Sequence, residues 1–228
     1  IPGLVGSEMC IRDRNRILFN VFIKESDLKR VLIENISFPM LGNHNIENAL
    51  AAITVAYNFN IDPEIIKKAL ESFDGVKRRL SKIYEKNNIV FYDDYAHHPT
   101  EIKETIKALK SSKGRLISVI QPHRYSRLRD NYHQFIKSFS KSDIVLILPV
   151  YEAGERKIEN FTSEILAFDI SQQGPSKATY FKNFSILKSE IKKILKPNDT
   201  VVFMGAGSIS TWCNKFAKEM ILKDQNNE

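Results

Sequence analysis

Short apolar runs alternate with helix-patterned stretches from residue 89 onward, and that alternation leaves few folds open. The runs lie near residues 89–93, 115–120, 143–148, 177–181 and 200–204. Strands of this length separated by helices predict an α/β architecture, a Rossmann-like doubly wound domain with a mostly parallel sheet, over residues 81–222. Upstream, Ile17-Leu18-Phe19-Asn20-Val21-Phe22-Ile23 and Val31-Leu32-Ile33-Glu34-Asn35-Ile36 are rich in β-branched and aromatic residues and predict strands. Residues 43–59 and 63–73 predict helices, the second opened by Asp62 as N-cap with Pro63 at its first position. The helical pattern stops at Gly75, which puts the join between two parts at residues 77–82. Residues 1–14 show no periodicity and read as an unstructured or artefactual leader. Residues 15–80 then form the end of a preceding domain, and residues 223–228 a frayed polar tail.

Composition narrows the function classes. With 43% hydrophobic residues, 228 residues can bury one full core and part of another. No apolar run approaches the roughly 18 to 20 residues that span a bilayer. The first residues lack the basic start and apolar centre of a secretory signal, so a cytoplasmic location is expected. Cys10 and Cys213 have no metal-ligand spacing, which argues against zinc and against a disulfide framework. The net charge of +7 is spread along helices between acidic residues, the pattern of a solvated surface. Neither a nucleic-acid nor a membrane partner is expected, and nothing in the sequence bears on oligomeric state.

Two polar clusters stand at predicted strand ends, where open α/β sheets build ligand sites. The first is Asp93-Asp94-Tyr95-Ala96-His97-His98-Pro99-Thr100-Glu101; the second is Gln121-Pro122-His123-Arg124-Tyr125-Ser126-Arg127. Guanidinium forks suit carboxylates, so Arg124 or Arg127 is a natural clamp for one, although a plain basic loop is the alternative. His97 and His98 are adjacent, point differently and make a poor metal pair. Asp93 or Asp94 could serve only the turn, with Thr100 as helical cap. Gly205-Ala206-Gly207-Ser208 lacks a third glycine and follows the last strand, which favours a tight turn over a dinucleotide loop. No Gly-x-x-x-x-Gly-Lys-Ser/Thr phosphate loop occurs in the chain.

These clusters stand in order with Gly42-Asn43-His44-Asn45-Ile46-Glu47-Asn48, Phe73-Asp74-Gly75-Val76-Lys77-Arg78-Arg79 and Val150-Tyr151-Glu152-Ala153-Gly154-Glu155. Together the motifs resemble the Mur ligase family over residues 15–220, and its alanine-adding branch in particular. The resemblance implies that the Rossmann-like domain is preceded by the carboxy-terminal piece of the family's central ATPase domain. It implies ATP and Mg2+ as cofactors, with the phosphate loop and magnesium ligand upstream of these residues. The implied reaction joins L-alanine to UDP-N-acetylmuramate in peptidoglycan synthesis: ATP converts the muramate carboxylate to an acyl phosphate, which the alanine amine attacks. His44, Asn45, Arg79 and Asp94 resemble ATP-binding residues, though Asn43 or Asn45 could simply cap a helix. Tyr95 and His97 resemble catalytic residues at the junction of nucleotide and amino acid. His123, Arg124 and Arg127 resemble the amino-acid site. No protein-held metal is implied among these residues. A peptide-adding paralogue and a non-catalytic nucleotide-binding module are the alternatives, and Tyr151, Glu152 and Glu155 read equally as pocket rim or exposed loop.

Overall fold

A computed structural model describes residues 3–13, 16–25, 28–110, 114–174 and 176–225, with the side chains of 3–13, 23–25, 28–31 and 223–224 left out of the description. The chain divides into two compact units, Ile1–Gly75 and Val76–Glu228.

The first unit is a three-stranded antiparallel sheet, β1 (Gly3–Asp13), β2 (Arg16–Glu25) and β3 (Leu28–Phe38), with helices α1 (Asn43–Asn58) and α2 (Pro63–Glu71). The leader thus differs from expectation: Gly3–Asp13 pairs along β2, from Gly3 opposite Lys24 to Asp13 opposite Arg16. A ladder satisfies backbone N–H and C=O groups whatever the side-chain pattern, so a segment without apolar alternation can still be a strand. Ile17, Phe19 and Val21 alternate into the core against Ile33, Ile36 and Phe38. The Asp62 carboxylate accepts the Glu64 N–H at 2.8 Å and Pro63 opens α2, as the sequence predicts. Arg16 donates to the carbonyls of Ser37 (2.6 Å) and Glu71 (2.7 Å), tying the strands to the end of α2.

The second unit carries β4 (Ser81–Lys86), β5 (Ile89–Asp94), α3 (Pro99–Leu109), β6 (Leu116–Ile120), α4 (Tyr125–Asp130), α5 (Tyr132–Ser138), β7 (Ile144–Ile147), α6 (Ser163–Gln173), β8 (Lys177–Tyr180), α7 (Phe184–Ile194), β9 (Thr200–Met204) and α8 (Ile209–Gln225). Its sheet runs β4-β5-β9-β6-β7-β8, parallel except for β4, which is antiparallel to β5. The doubly wound, mostly parallel expectation therefore holds, with β4 as an edge strand that the sequence reading does not include. The start of this unit also lies earlier than residues 77–82. The Arg78 carbonyl accepts the Tyr95 N–H (2.7 Å) and the Asp94 carboxylate accepts the Leu80 N–H (2.8 Å), so this segment is bound to the end of β5. At the other end α8 continues through Gln225, so residues 223–225 are helical, not frayed; residues 226–228 lie outside the described ones.

Successive strand residues face opposite sides of the sheet. Phe91, Ile117, Val119, Leu146, Val201 and Phe203 pack with Leu187 and Ile191 of α7 and Ile209, Cys213 and Phe216 of α8. Helix α5 packs with both α3 and α6, α3 against β6 and α6 against β7 and β8. The connections β5–β6–β7–β8 thus run along one side, and the return to β9 runs along the other. Loops leaving β5 and β6 diverge from the loop leaving β9, and this divergence at the carboxyl ends of central strands is where doubly wound sheets open a crevice. Among the described residues no helix is long and apolar enough to cross a membrane.

Candidate functional site

Four strand ends meet at that crevice. Beyond β5, Tyr95 is 37% exposed, and its ring lies 5.1 Å edge-on from the His97 imidazole. His97 reaches past the end of β9 to His123 beyond β6, their ring centroids 5.9 Å apart. His123 in turn stacks on Tyr151 beyond β7, at 5.3 Å and 19°. On the far side the Arg78 guanidinium covers the Tyr95 ring at 4.5 Å. Arg78, Tyr95, His97, His123 and Tyr151 therefore form one continuous row across the carboxyl edge of the sheet. The reach across β9 is possible because its own loop is Gly205-Ala206-Gly207, which puts little side-chain bulk between the neighbours.

Hydrogen bonds fix the proton positions on the two imidazoles. His97 Nδ1 lies 2.8 Å from the Tyr95 carbonyl and must donate to it, which leaves the lone pair of the neutral ring on Nε2. Glu101 Oε2 stands 3.5 Å from the same Nδ1. At His123 the polarity is reversed: Arg127 Nη1 donates to Nδ1 at 3.2 Å and to the His123 carbonyl at 3.3 Å. Burial, then the charges of Arg127, His97 and Arg124, hold the His123 pKa below 6.5, so this ring is neutral at pH 7. His123, Arg124 and Arg127 are thus brought together with Tyr95 and His97, as the two sequence clusters predict. Arg127 is half-buried and the Arg124 side chain exposed.

Arg124 enters α4 with φ 70° and ψ 131°. Such a conformation costs a non-glycine residue about 1–3 kcal/mol, and its neighbours must hold it. The Arg124 N–H donates to the Tyr151 carbonyl (2.8 Å) and the Tyr151 N–H to the Pro122 carbonyl (2.7 Å). One turn further the Glu155 carboxylate accepts both the Ser126 N–H (2.9 Å) and the Ser126 hydroxyl (2.6 Å), which holds its pKa low. The loop after β7 is thus a brace on the arginine-bearing segment.

The residues assigned to ATP are placed differently. Asp94 is 4% exposed, with Oδ1 accepting the Ala96 N–H at 2.7 Å and Oδ2 the Leu80 N–H at 2.8 Å. Burial raises its pKa from 3.8 to about 6 against the opposing pull of those bonds and of Arg79. In this structure the carboxylate organises backbone instead of facing the crevice. Arg79 is exposed and close enough to act electrostatically on Asp94 and Glu101. His44 and Asn45 belong to the first unit. Asn45 is 3% exposed and donates to the Leu41 carbonyl at 2.7 Å, while Gly42 takes the N-cap position of α1.

Several roles were not legible in advance. Arg78 donates to the Gly205 carbonyl at 2.8 Å and stacks on Tyr95. The cap of α3 is His98, accepting the Thr100 N–H, with Glu101 returning to the His98 N–H in a capping box, so Thr100 is not the cap. The Gly205-Ala206-Gly207 segment is the tight turn the sequence predicts. Gln121 Oε1 accepts the Ile209 N–H at 3.0 Å, and a Cβ on Gly207 would stand 2.7 Å from both Gln121 Oε1 and the Tyr151 ring. Cys213 is a buried core residue, and Trp212 packs at the edge of the same core. Beside the row, a groove of about 780 Å³ opens among Gln121, the 149–154 loop and the facing parts of α7 and α8.

Comparison with known proteins identifies the family. Residues 78–207 match the family described as Mur ligase, glutamate ligase domain. A UDP-N-acetylmuramate--L-alanine ligase of Rhizobium etli is 41% identical over 210 residues, covering 91% of this chain and 45% of the relative. The chain therefore spans about half the length of the curated relatives it matches. The crystal structure of UDP-N-acetylmuramate-alanine ligase from Thermotoga maritima aligns with a TM-score of 0.70 at 23% identity, covering 99% of this chain and 46% of that one. A MurF ligase from the same organism in complex with ADP aligns with a TM-score of 0.64 at 15% identity, over 95% of this chain and 47% of that one. With a family match over more than half its length, the chain belongs to the Mur ligase family.

Proposed function

We propose that this chain supplies the amino-acid side of an ATP-dependent ligase that joins L-alanine to UDP-N-acetylmuramate. The observation that carries the reading is the convergence of Tyr95, His97, His123, Arg124 and Arg127 at the carboxyl ends of β5 and β6. A zwitterionic amino acid needs a cation for its carboxylate, a small enclosed space for its side chain, and a proton acceptor near its amine. The two guanidinium groups fit the first need, the rings of Tyr95 and His123 the second, and the Nε2 lone pair of His97 the third. The curated relatives at about 40% identity carry the alanine ligase name, which supports the same substrate.

ATP, when bound, would supply the activation that makes the muramate carboxylate an electrophile. ADP in the MurF relative supports a nucleotide in this family. The residues in hand do not by themselves fit a triphosphate–magnesium site. The sequence has no phosphate loop, and among the described residues no group of three His, Cys, Asp or Glu side chains could hold a metal ion. Of the assigned nucleotide contacts, exposed Arg79 is suited to reach a phosphate, whereas Asp94 would act through the Leu80 and Ala96 amides it orders. His44 and Asn45 remain proposed at the helix start in the first unit, a position that favours anions.

The test is alanine-dependent ADP release in a full-length ligase carrying this sequence. Arg124→Ala and Arg127→Ala should each raise the KM for alanine by roughly ten- to a hundredfold, the worth of a charge-assisted contact. Wild-type use of alanine by both variants would remove the proposal.

A further inference from the structure

We infer that Tyr151, seated on Gly207, is a positioning residue for the amino-acid site, acting through His123 and Arg124. The inference rests on the alanine-site reading of those two residues. Three contacts converge on Tyr151. Its ring stacks on His123 at 5.3 Å and 19°. Its backbone brackets the arginine-bearing turn, with N–H to the Pro122 carbonyl at 2.7 Å and carbonyl to the Arg124 N–H at 2.8 Å. Beneath it, Gly207 approaches so closely that an added Cβ would lie 2.7 Å from Tyr151 Cγ and 2.8 Å from Cδ2.

Arg124 needs this support because its φ of 70° lies where non-glycine residues are strained. Released from the Tyr151 carbonyl, the backbone would relax and carry the guanidinium away from its partner at Arg127. The Tyr151 ring also defines the plane of the His123 imidazole, whose Nδ1 accepts from Arg127 at 3.2 Å. One residue thus sets the placement of the two guanidinium groups assigned to the carboxylate relative to the His123 ring that encloses the side chain. The ring is 41% exposed and contributes little to the core, so its place in the site is better explained by orientation than by general stability. The bare Gly207 is the seat that lets the ring lie flat; the turn after β9 that looks superficially like a dinucleotide loop would serve the neighbouring site instead.

The experiment compares Tyr151→Phe, Tyr151→Leu and Gly207→Ala in a full-length ligase carrying this sequence, with Arg124→Ala alongside. Amino-acid-dependent ADP release is titrated separately in alanine and ATP, and the His123 ring shifts are followed by NMR. Tyr151→Phe keeps the ring and the backbone contacts and should stay within about twofold of wild type. Tyr151→Leu and Gly207→Ala should raise the KM for alanine by roughly tenfold while leaving the KM for ATP within about twofold, and should change the His123 ring shifts. If Gly207→Ala does not fold, Tyr151→Leu decides. Unchanged alanine constants in Tyr151→Leu and Gly207→Ala, with Arg124→Ala impaired, overturn the positioning role and leave the clamp standing. An unimpaired Arg124→Ala overturns the clamp itself, whatever the Tyr151 variants do. Equal loss toward both substrates, or no rescue in Tyr151→Phe, also counts against positioning.

Discussion

Asp94→Asn probes how the end of β5 is held together. The carboxylate is 4% exposed and burial carries its pKa from 3.8 to about 6. In the unfolded chain it returns to its ordinary value, so between these two limits the folded state binds more protons. The stability it contributes is fully present below about pH 4 and is lost as pH rises through about 6. The whole window is worth about 3 kcal/mol, from about two pKa units at about 1.4 kcal/mol each, and the part between pH 5 and 7 about 1.3 kcal/mol. Asparagine cannot titrate, so its variant lacks this slope. It also offers one acceptor where the Leu80 and Ala96 N–H groups need two, a pH-independent loss of about 1–3 kcal/mol. Trp212 is the sole tryptophan and packs against the core of the second unit, so its fluorescence reports that unit's unfolding. Urea unfolding at pH 5 and 7 should show wild type exceeding the variant by about 1 kcal/mol more at pH 5 than at pH 7. Parallel pH dependence in the two proteins would refute the reasoning.

Other expectations follow from the same contacts. Arg115 grips the 1%-exposed Asp199 through both carboxylate oxygens, at 3.0 and 2.6 Å, and donates to the Ile194 carbonyl. Arg115→Ala should therefore lower stability by roughly 2–4 kcal/mol in urea unfolding, and a loss under about 1 kcal/mol would contradict the buried-pair reading. The Cys213 thiol is pushed well up by burial and the neighbouring Asp93 carboxylate, so a thiol reagent should label it only on unfolding; rapid native labelling would count against its core placement. The NMR titration of His123 should fall below 6.5 and rise in Arg127→Ala, and an unmoved midpoint would remove Arg127 as a cause. Since the folded pKa is the lower, that ring adds stability above about pH 6.5 that is lost as pH falls through the folded value.

The central parallel strands were legible because they are short apolar runs buried between helices, as in Leu116–Ile120, buried throughout, whereas the edge strand β8 has no buried residue. β4 was not legible. Ser-Lys-Ile-Tyr-Glu-Lys buries only Tyr84 fully, and it exposes Lys82 and Glu85 as charged edge strands do. The strand-end rule located Tyr95, His97, His123, Arg124 and Arg127 because topology alone brings those ends together. It could not supply the Arg78 or Tyr151 contacts. Arg78 reaches Gly205 across 127 residues of sequence, and Gly207 meets Tyr151 only once β9 has inserted between β5 and β6. Asp94 was located, but its inward direction depends on the Leu80 amide, which arrives only when the segment after Gly75 folds back along β5.

The central claim is that Arg124 and Arg127 hold the carboxylate of the incoming amino acid. Its most direct test is ADP release by a full-length ligase carrying this sequence, with L-alanine and alaninamide compared as acceptors in wild type and in Arg127→Lys. A lysine cannot reproduce the guanidinium fork, so Arg127→Lys should resemble Arg127→Ala, and alaninamide, lacking the carboxylate, should fail almost completely in every variant. Efficient use of alaninamide by the wild-type enzyme, or unimpaired use of alanine by Arg127→Lys, would contradict it.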